Sequence, residues 1–164
     1  MKTCLFSIVL ISIISFLNCS FQSTIFSRMA KDKKGQNLII SPLSIFQALS
    51  LAANGARGKT LSEMLDVLKN DSLEELNKIN LEILSIIGKF TIIDIANAVM
   101  TKFTPLENFT KILEEYLAPI EPLVNVEQIN NWCYNKTHGK IEKILEELDL
   151  DTEMIKLNAV YFKG

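Results

Sequence analysis

The chain has 164 residues, 48% hydrophobic and 22% charged, a composition that fits about one globular domain and excludes whole-chain disorder. Lys and Arg number 17 against 19 Asp and Glu, and the formal net charge of -2 supplies no excess positive field for a polyphosphate. Nucleic acid is therefore not an expected partner.

At the amino terminus Lys2 precedes an apolar stretch, Leu5 to Leu17, broken only by Ser7, Ser12 and Ser15. The stretch is too short to cross a bilayer as a helix and suits the core of a signal peptide. Residues 1–20 are read as that peptide, with cleavage after Cys19 or Ser20, and residues 21–164 as a mildly acidic product in the extracellular space, free of the membrane once cleaved. An uncleaved anchor is the alternative that the short run disfavours. Cys4 and Cys19 go with the leader, so Cys133 is left without an intrachain partner and a disulfide framework is excluded. With no adjacent Cys or metal-spaced His, Cys133 reads as a structural thiol on a helix.

Turn and cap signals along the rest predict an α+β chain. Ser41 as N-cap and Pro42 as first helical residue open a helix through Ile45, Leu49 and Ala52, with Asn54 and Gly55 suited to a left-handed end. Thr60 with Glu63, and Ser72 with Glu75, form capping boxes before two amphipathic helices, one bearing Leu61, Met64, Leu65 and Leu68, the other Leu76, Ile79, Ile83 and Ile87. Thr91 to Met100 is rich in branched side chains and is predicted as a central strand buried on much of both faces. Thr104, Pro105 and Glu107 repeat the cap logic ahead of Phe109, Leu113 and Tyr116, and Pro119 and Pro122 stop any continuation. Asn125 caps a helix carrying Ile129 and Trp132 that closes at His138-Gly139, and Ile141, Ile144, Leu145 and Leu148 suggest a short helical continuation. Met154 to Lys163 alternates as a strand with one wholly apolar side; on the other, Asn158 is the outlier. Two strands, the second at the carboxyl end, make an unfinished sheet whose missing strands come either from a partner or from a longer chain of which this is a fragment.

The residues that could carry catalysis have simpler explanations. His138 has no nucleophile elbow beside it and reads as a solvated helix-end residue. Gly58-Lys59-Thr60 lacks the first glycine of a phosphate loop, where Ala53 stands. The pairs Glu74-Glu75, Glu114-Glu115 and Glu146-Glu147 fit solvated helix faces, and no His, Cys and Asp cluster has metal spacing. An enzyme is disfavoured and no cofactor or metal is expected. Three N-glycosylation sequons begin at Asn70, Asn108 and Asn135; Asn70, in an expected loop, is the best placed, and the other two fit ordinary helix positions.

The run Asn37 to Ser44, followed by Ala48 to Thr60, closely resembles the second-helix region of serpins, the serine protease inhibitor family. Asn130-Asn131-Trp132, Thr137 to Ile141 and Leu157 to Gly164 follow in the order and spacing that serpins show for their sixth helix and the third strand of their main sheet. The resemblance covers the chain from near Phe26 to Gly164 and corresponds to less than half of a serpin, an amino-terminal portion truncated before the reactive-centre loop. It implies a secreted suicide-substrate inhibitor of a serine protease, or of a cysteine protease, in which the cut loop inserts into the main sheet. It also implies that Ser41, Ser44 and Asn158 match the polar "shutter" controlling sheet opening; read from the residues alone, Ser41 is a cap, Ser44 a first-turn residue and Asn158 solvated. The reactive-centre residue itself is unknown. The stretch matching the fourth helix has Lys78 and Lys89 but no basic cluster, so no glycosaminoglycan site is expected. The alternatives are a non-inhibitory serpin-like binding or carrier protein, and a non-functional truncated chain.

Overall fold

The structure is a computed structural model that describes residues 19–87 and 93–162. The predicted signal peptide lies outside the described residues except for Cys19 and Ser20, as do Thr91 and Ile92 of the predicted central strand. The order is α1 (Cys19–Asp32), α2 (Pro42–Gly55), α3 (Gly58–Leu68), α4 (Leu73–Ile87), β1 (Ile93–Thr101), α5 (Glu107–Glu115), β2 (Ile120–Pro122), α6 (Val126–Lys136) and β3 (Met154–Phe162). The strands form one mixed sheet in the order β2-β1-β3, with β2 parallel and β3 antiparallel to β1.

Helix α2 starts where Ser41 and Pro42 predict, the Ser41 hydroxyl accepting from the Ser44 amide at 3.3 Å. It ends at Gly55, where the sequence predicts, but without the expected left-handed residue. Gly55 stays helical and Ala56 is extended, and the last carbonyls are met by Arg57, whose Nη1 donates to Asn54 O at 3.1 Å and Ala56 O at 2.6 Å. No left-handed residue is then needed until Gly58, at φ +56°, turns the chain into α3. Because α3 begins there, Thr60 falls inside its first turn and the predicted Thr60–Glu63 box does not form; Arg57 is the N-cap, and its side chain makes no capping bond to α3. Ser72, in contrast, caps α4 by accepting from Glu75 N at 3.2 Å.

The apolar face predicted for α2 is also displaced. Ile45, Leu49 and Ala52 are half-buried, while Phe46, Gln47, Ser50, Leu51, Ala53 and Asn54 are buried. The helix is enclosed on several sides: α1, α3, α4 and α5 pack around it and β3 crosses it. Phe46 and Ala53 share a cluster with Phe21, Leu68, Leu76 and Ile83, while Leu51 joins Val99, Leu113, Tyr116 and Ala118 under the sheet. A third cluster, including Ala98, Met100, Ile129, Trp132, Leu157 and Ala159, fills the space between α6 and strands β1 and β3.

Three further predictions are corrected. Helix α5 begins at Glu107 with Leu106 as a bare N-cap, not at Pro105 behind Thr104, because Thr101 Oγ1 bonds both the amide and the carbonyl of Phe103 and holds the exit from β1 in a turn. The segment between the two prolines is a short parallel strand: Val99 N donates to Pro119 O at 2.9 Å and Leu123 N to Thr101 O at 2.9 Å, and an edge position tolerates the missing proline donor. Ile141 to Leu148 forms no helix. Its donors are taken by side chains of α6 and the residue after it, Ile141 N by Thr137 Oγ1 at 3.1 Å, Ile144 N and Leu145 N by Asn130 Oδ1 at 2.9 and 3.1 Å. Leu145 and Leu148 still pack into the α6 cluster.

A polar knot sits in the core between α2, α4 and α5. Asn54 and Asn77 exchange side-chain bonds of 2.8 and 2.9 Å, and the Tyr116 hydroxyl donates to Asn77 Oδ1 at 2.7 Å. Burial pushes the Tyr116 phenol well above its ordinary 10.0. The unfolded phenol ionises near that ordinary value while the folded one keeps its proton, so this contribution to stability is complete below about pH 10 and falls as pH rises further. Tyr116→Phe is expected to cost about 1 kcal/mol near neutrality through the lost hydrogen bond. It should also flatten the decline in stability above about pH 10 in urea melts followed by circular dichroism; an unaltered alkaline slope would show that Tyr116 does not cause it.

Candidate functional site

Strands β1 and β3 pair over their full length, with Asn97 opposite Asn158. Period-two alternation sends these two amides to the side of the sheet that faces α2, while Ala98, Leu157 and Ala159 face α6. Asn158 Nδ2 donates to Asn97 Oδ1 at 2.8 Å. Ser44, in the first turn of α2, donates its hydroxyl to Asn158 Oδ1. Asn97 is buried at 5% exposure and passes its own Nδ2 to Tyr116 O at 3.3 Å, just past α5. A continuous chain of bonds thus runs from α2 through β3 and β1 to the end of α5. Each amide has a donor and an acceptor in use, which is what makes two asparagines at mid-sheet tolerable.

Of the three sequence-derived shutter residues, Ser44 and Asn158 meet directly. Ser41 does not bond Asn158; its hydroxyl accepts the Ser44 amide and so fixes the turn from which Ser44 reaches the strand. Sequence reasoning misses Asn97. Within the run Thr91 to Met100 it is a polar residue flanked by Ala96 and Ala98, and a strand amide able to face another strand amide is the available signal.

On the other side of the ladder, His138 is an exposed helix-end residue at φ +51°, with Gly139 at +75° completing the turn, as the sequence predicts. Its Nε2 lies 3.1 Å from Asp94 Oδ2 and its ring 4.2 Å from that of Tyr161, the residue paired with Asp94 across the strands. The end of α6 is thereby tied to both strands. Cys133 is buried and unbridged, and burial raises its thiol above the ordinary 9.0, which opposes thiolate chemistry. No group of His, Cys, Asp and Glu able to hold a metal occurs among the described residues.

The sequons divide differently from the prediction. Asn70 is buried at 8% exposure, its Nδ2 donating to Leu68 O at 2.8 Å and its amide to Leu65 O at 3.1 Å behind the left-handed Lys69, so it is consumed in closing α3. The loop is where the sequence expects it, between α3 and α4, but within it the Asn70 side chain is turned inward. Asn108 and Asn135 are exposed on α5 and α6, but Thr137 of the second sequon is buried with its hydroxyl bonded to Cys133 O.

Residues 17–164 match the family model described as Serpin (serine protease inhibitor). A serine protease inhibitor of the mouse, Mus musculus, is 32% identical over 90% of this chain and 39% of its own length. Alpha-2-antiplasmin of Bos taurus is 32% identical over 88% of this chain and 31% of its own. Among solved structures, the latent state of the thermophilic serpin tengpin superposes with a TM-score of 0.79 at 34% identity, covering 90% of this chain and 43% of tengpin. The chain spans less than half the length of these relatives. No helix among the described residues is long and apolar enough to cross a membrane.

The bonded chain sets an energetic expectation. Asn158→Ala leaves Asn97 Oδ1 and the Ser44 hydroxyl without their partner and is expected to cost about 1–3 kcal/mol. In a double-mutant cycle by denaturant unfolding, Ser44→Ala and Asn158→Ala should show a coupling of about 0.5–3 kcal/mol, and strictly additive losses would show that the two residues do not interact. The order of the helices, the mixed β2-β1-β3 sheet and the match over residues 17–164 together place the chain in the serpin family, as an incomplete serpin fold.

Proposed function

We propose that the chain is the amino-terminal part of a secreted serpin-type inhibitor of serine proteases, which acts as a suicide substrate and not as an enzyme. The observation that carries this reading is the position of β3. Among the described residues it pairs with β1 along one side alone, and Asn158 on that strand is held from beneath by Ser44. A strand with one open edge can accept another strand by main-chain bonds. A polar rung beneath it restrains the sheet until the bonds are exchanged, since few interactions need to break and each is worth about 1 kcal/mol net.

In this reading the protease attacks a loop carried by the part of a serpin that the match does not reach, and the cut loop enters beside β3 before the acyl-enzyme is hydrolysed. Ser44, Asn158 and Asn97 form the restraint, with Ser41 setting the turn that aims Ser44. The names of the two relatives, a serine protease inhibitor and alpha-2-antiplasmin, support an inhibitor. Residues 1–20 serve as signal peptide, and Asn108, exposed on the first turn of α5, is the favoured glycan acceptor in place of Asn70.

Mixing the complete secreted product with serine proteases of trypsin, chymotrypsin and elastase specificity, and with a papain-like cysteine protease, tests this directly. A covalent complex that survives boiling in detergent is expected with at least one serine protease. Cleavage of the product by every enzyme without such a complex would favour a non-inhibitory binding protein instead.

A further inference from the structure

Asn54-Gly55, in the last turn of α2, is the one Asn-Gly step in the 164 residues. Asparagine is a chemically labile side chain, and a glycine after it lacks the Cβ that would hinder attack of the next backbone nitrogen on the asparagine Cγ. In a flexible chain this is the step most prone to cyclise. The folded structure blocks it in two ways. Gly55 is helical, so its N–H is committed to the intrahelical ladder, and the helical ψ at Asn54 holds that nitrogen out of the plane in which the ring would close. The Asn54 side chain, 8% exposed, is separately clamped: its Nδ2 donates to Ser50 O at 3.0 Å and to Asn77 Oδ1 at 2.8 Å, and its Oδ1 accepts from Asn77 Nδ2 at 2.9 Å. Both amide hydrogens and the amide oxygen are therefore in use, in bonds made within α2 and between α2 and α4. The step nevertheless stands at a helix end, where fraying starts.

We propose that Asn54 is a latent deamidation site, shut in the native fold and opened when the last turn of α2 unwinds from α4. In the unwound chain the Gly55 nitrogen gives its proton to solvent base and bonds to Asn54 Cγ; the Cγ–Nδ2 bond breaks, and the amide leaves as ammonia after taking a proton from water. Water then adds to one of the two carbonyls of the cyclic imide and opens it, to aspartate or, with the chain rerouted through the side chain, to isoaspartate. Water is the sole co-reactant. Either product prevents return to the native contacts. A carboxylate at position 54 has no hydrogen to give Ser50 O or Asn77 Oδ1, and it would set a buried negative charge against those two acceptors. A molecule that stays open here long enough to react thus loses the bonds that join α2 to Asn77 and, through it, to Tyr116. Irreversible ageing of the protein, as distinct from protease inhibition, then depends on the opening of one helix end.

Incubation of the complete protein at mildly alkaline pH, with and without denaturing urea, followed by tryptic digestion and tandem mass spectrometry, tests the assignment. The peptide from Gly35 to Arg57 carries the step together with Asn37, which serves as an internal reference. Conversion of Asn54 is expected to be about tenfold or more faster in urea than in the native protein, and in urea faster than that of Asn37. Gly55→Ala should fold, since Gly55 has no positive φ and an added Cβ meets the Phe109 ring at 3.7 Å, an ordinary contact. It should slow the conversion in urea by about tenfold. Asn54→Asp, which mimics one product, should unfold at lower urea than the unmodified protein or fail to fold. Native protein converting at Asn54 as fast as in urea would overturn the proposal. So would conversion in urea no faster than at Asn37 or unchanged by Gly55→Ala, or an Asn54→Asp protein as stable as the unmodified one.

Discussion

The structure depends on one rung of side chains, the amide pair Asn97 and Asn158 joined across β1 and β3 and gripped from below by Ser44. Around that rung the β1–β3 ladder is backed mainly by apolar groups: Val99 and Leu51 on one side, Ala98, Leu157, Ala159 and Trp132 on the other. Hydrophobic packing of that kind is non-directional and tolerates small slips. A hydrogen-bonded amide pair does not, because a displaced register would leave buried donors and acceptors unmatched at about 1–3 kcal/mol each. The rung therefore fixes how the sheet sits on α2, at a level where separating strand from helix breaks directional bonds.

Helix α2 can serve as that anchor because it is packed on so many sides. Phe46 and Ala53 are buried in one cluster beside it and Leu51 in another, and Ser50 and Asn54 direct their polar atoms into the helix itself or to Asn77. Its amino end carries the sheet-facing Ser44 and its carboxyl end the Asn54–Asn77–Tyr116 knot, so α2, α4, α5 and the sheet are linked by polar bonds at both ends of a single rod. Above the sheet, α6 is fastened by a different device, the contacts of His138 with Asp94 and Tyr161. The His138 and Asp94 side chains are more than half exposed, so the tie is weak compared with the rung beneath.

Much of this was legible in the sequence where a cap or a period states it locally. Ser41-Pro42, Ser72 and Asn125 mark helix starts that the structure keeps, and the alternation around Asn158 marks its strand. What was not legible is decided by partners that a local pattern does not contain. Thr60 and Thr104 have the right neighbours to cap, yet Gly58 turns the chain before the first and Thr101 claims the exit from β1 ahead of the second. Ile141 to Leu148 carries a helical pattern, but Asn130 and Thr137 take its amides. Asn70 does lie in a loop, but its burial follows from the left-handed Lys69, which turns its amide and side chain back onto Leu65 and Leu68. At the site, Ser44 and Asn158 could be paired only through the resemblance to serpins, and Asn97 required the register of β1 on β3.

The most direct test of the account is the polymerisation of the complete protein on heating, compared between the unmodified form and Asn158→Ala by native electrophoresis and light scattering. The account predicts that the variant forms polymers at temperatures where the unmodified protein remains monomeric, since the sheet has lost its directional hold on α2. Equal heat resistance, with no polymers from the variant, would contradict it.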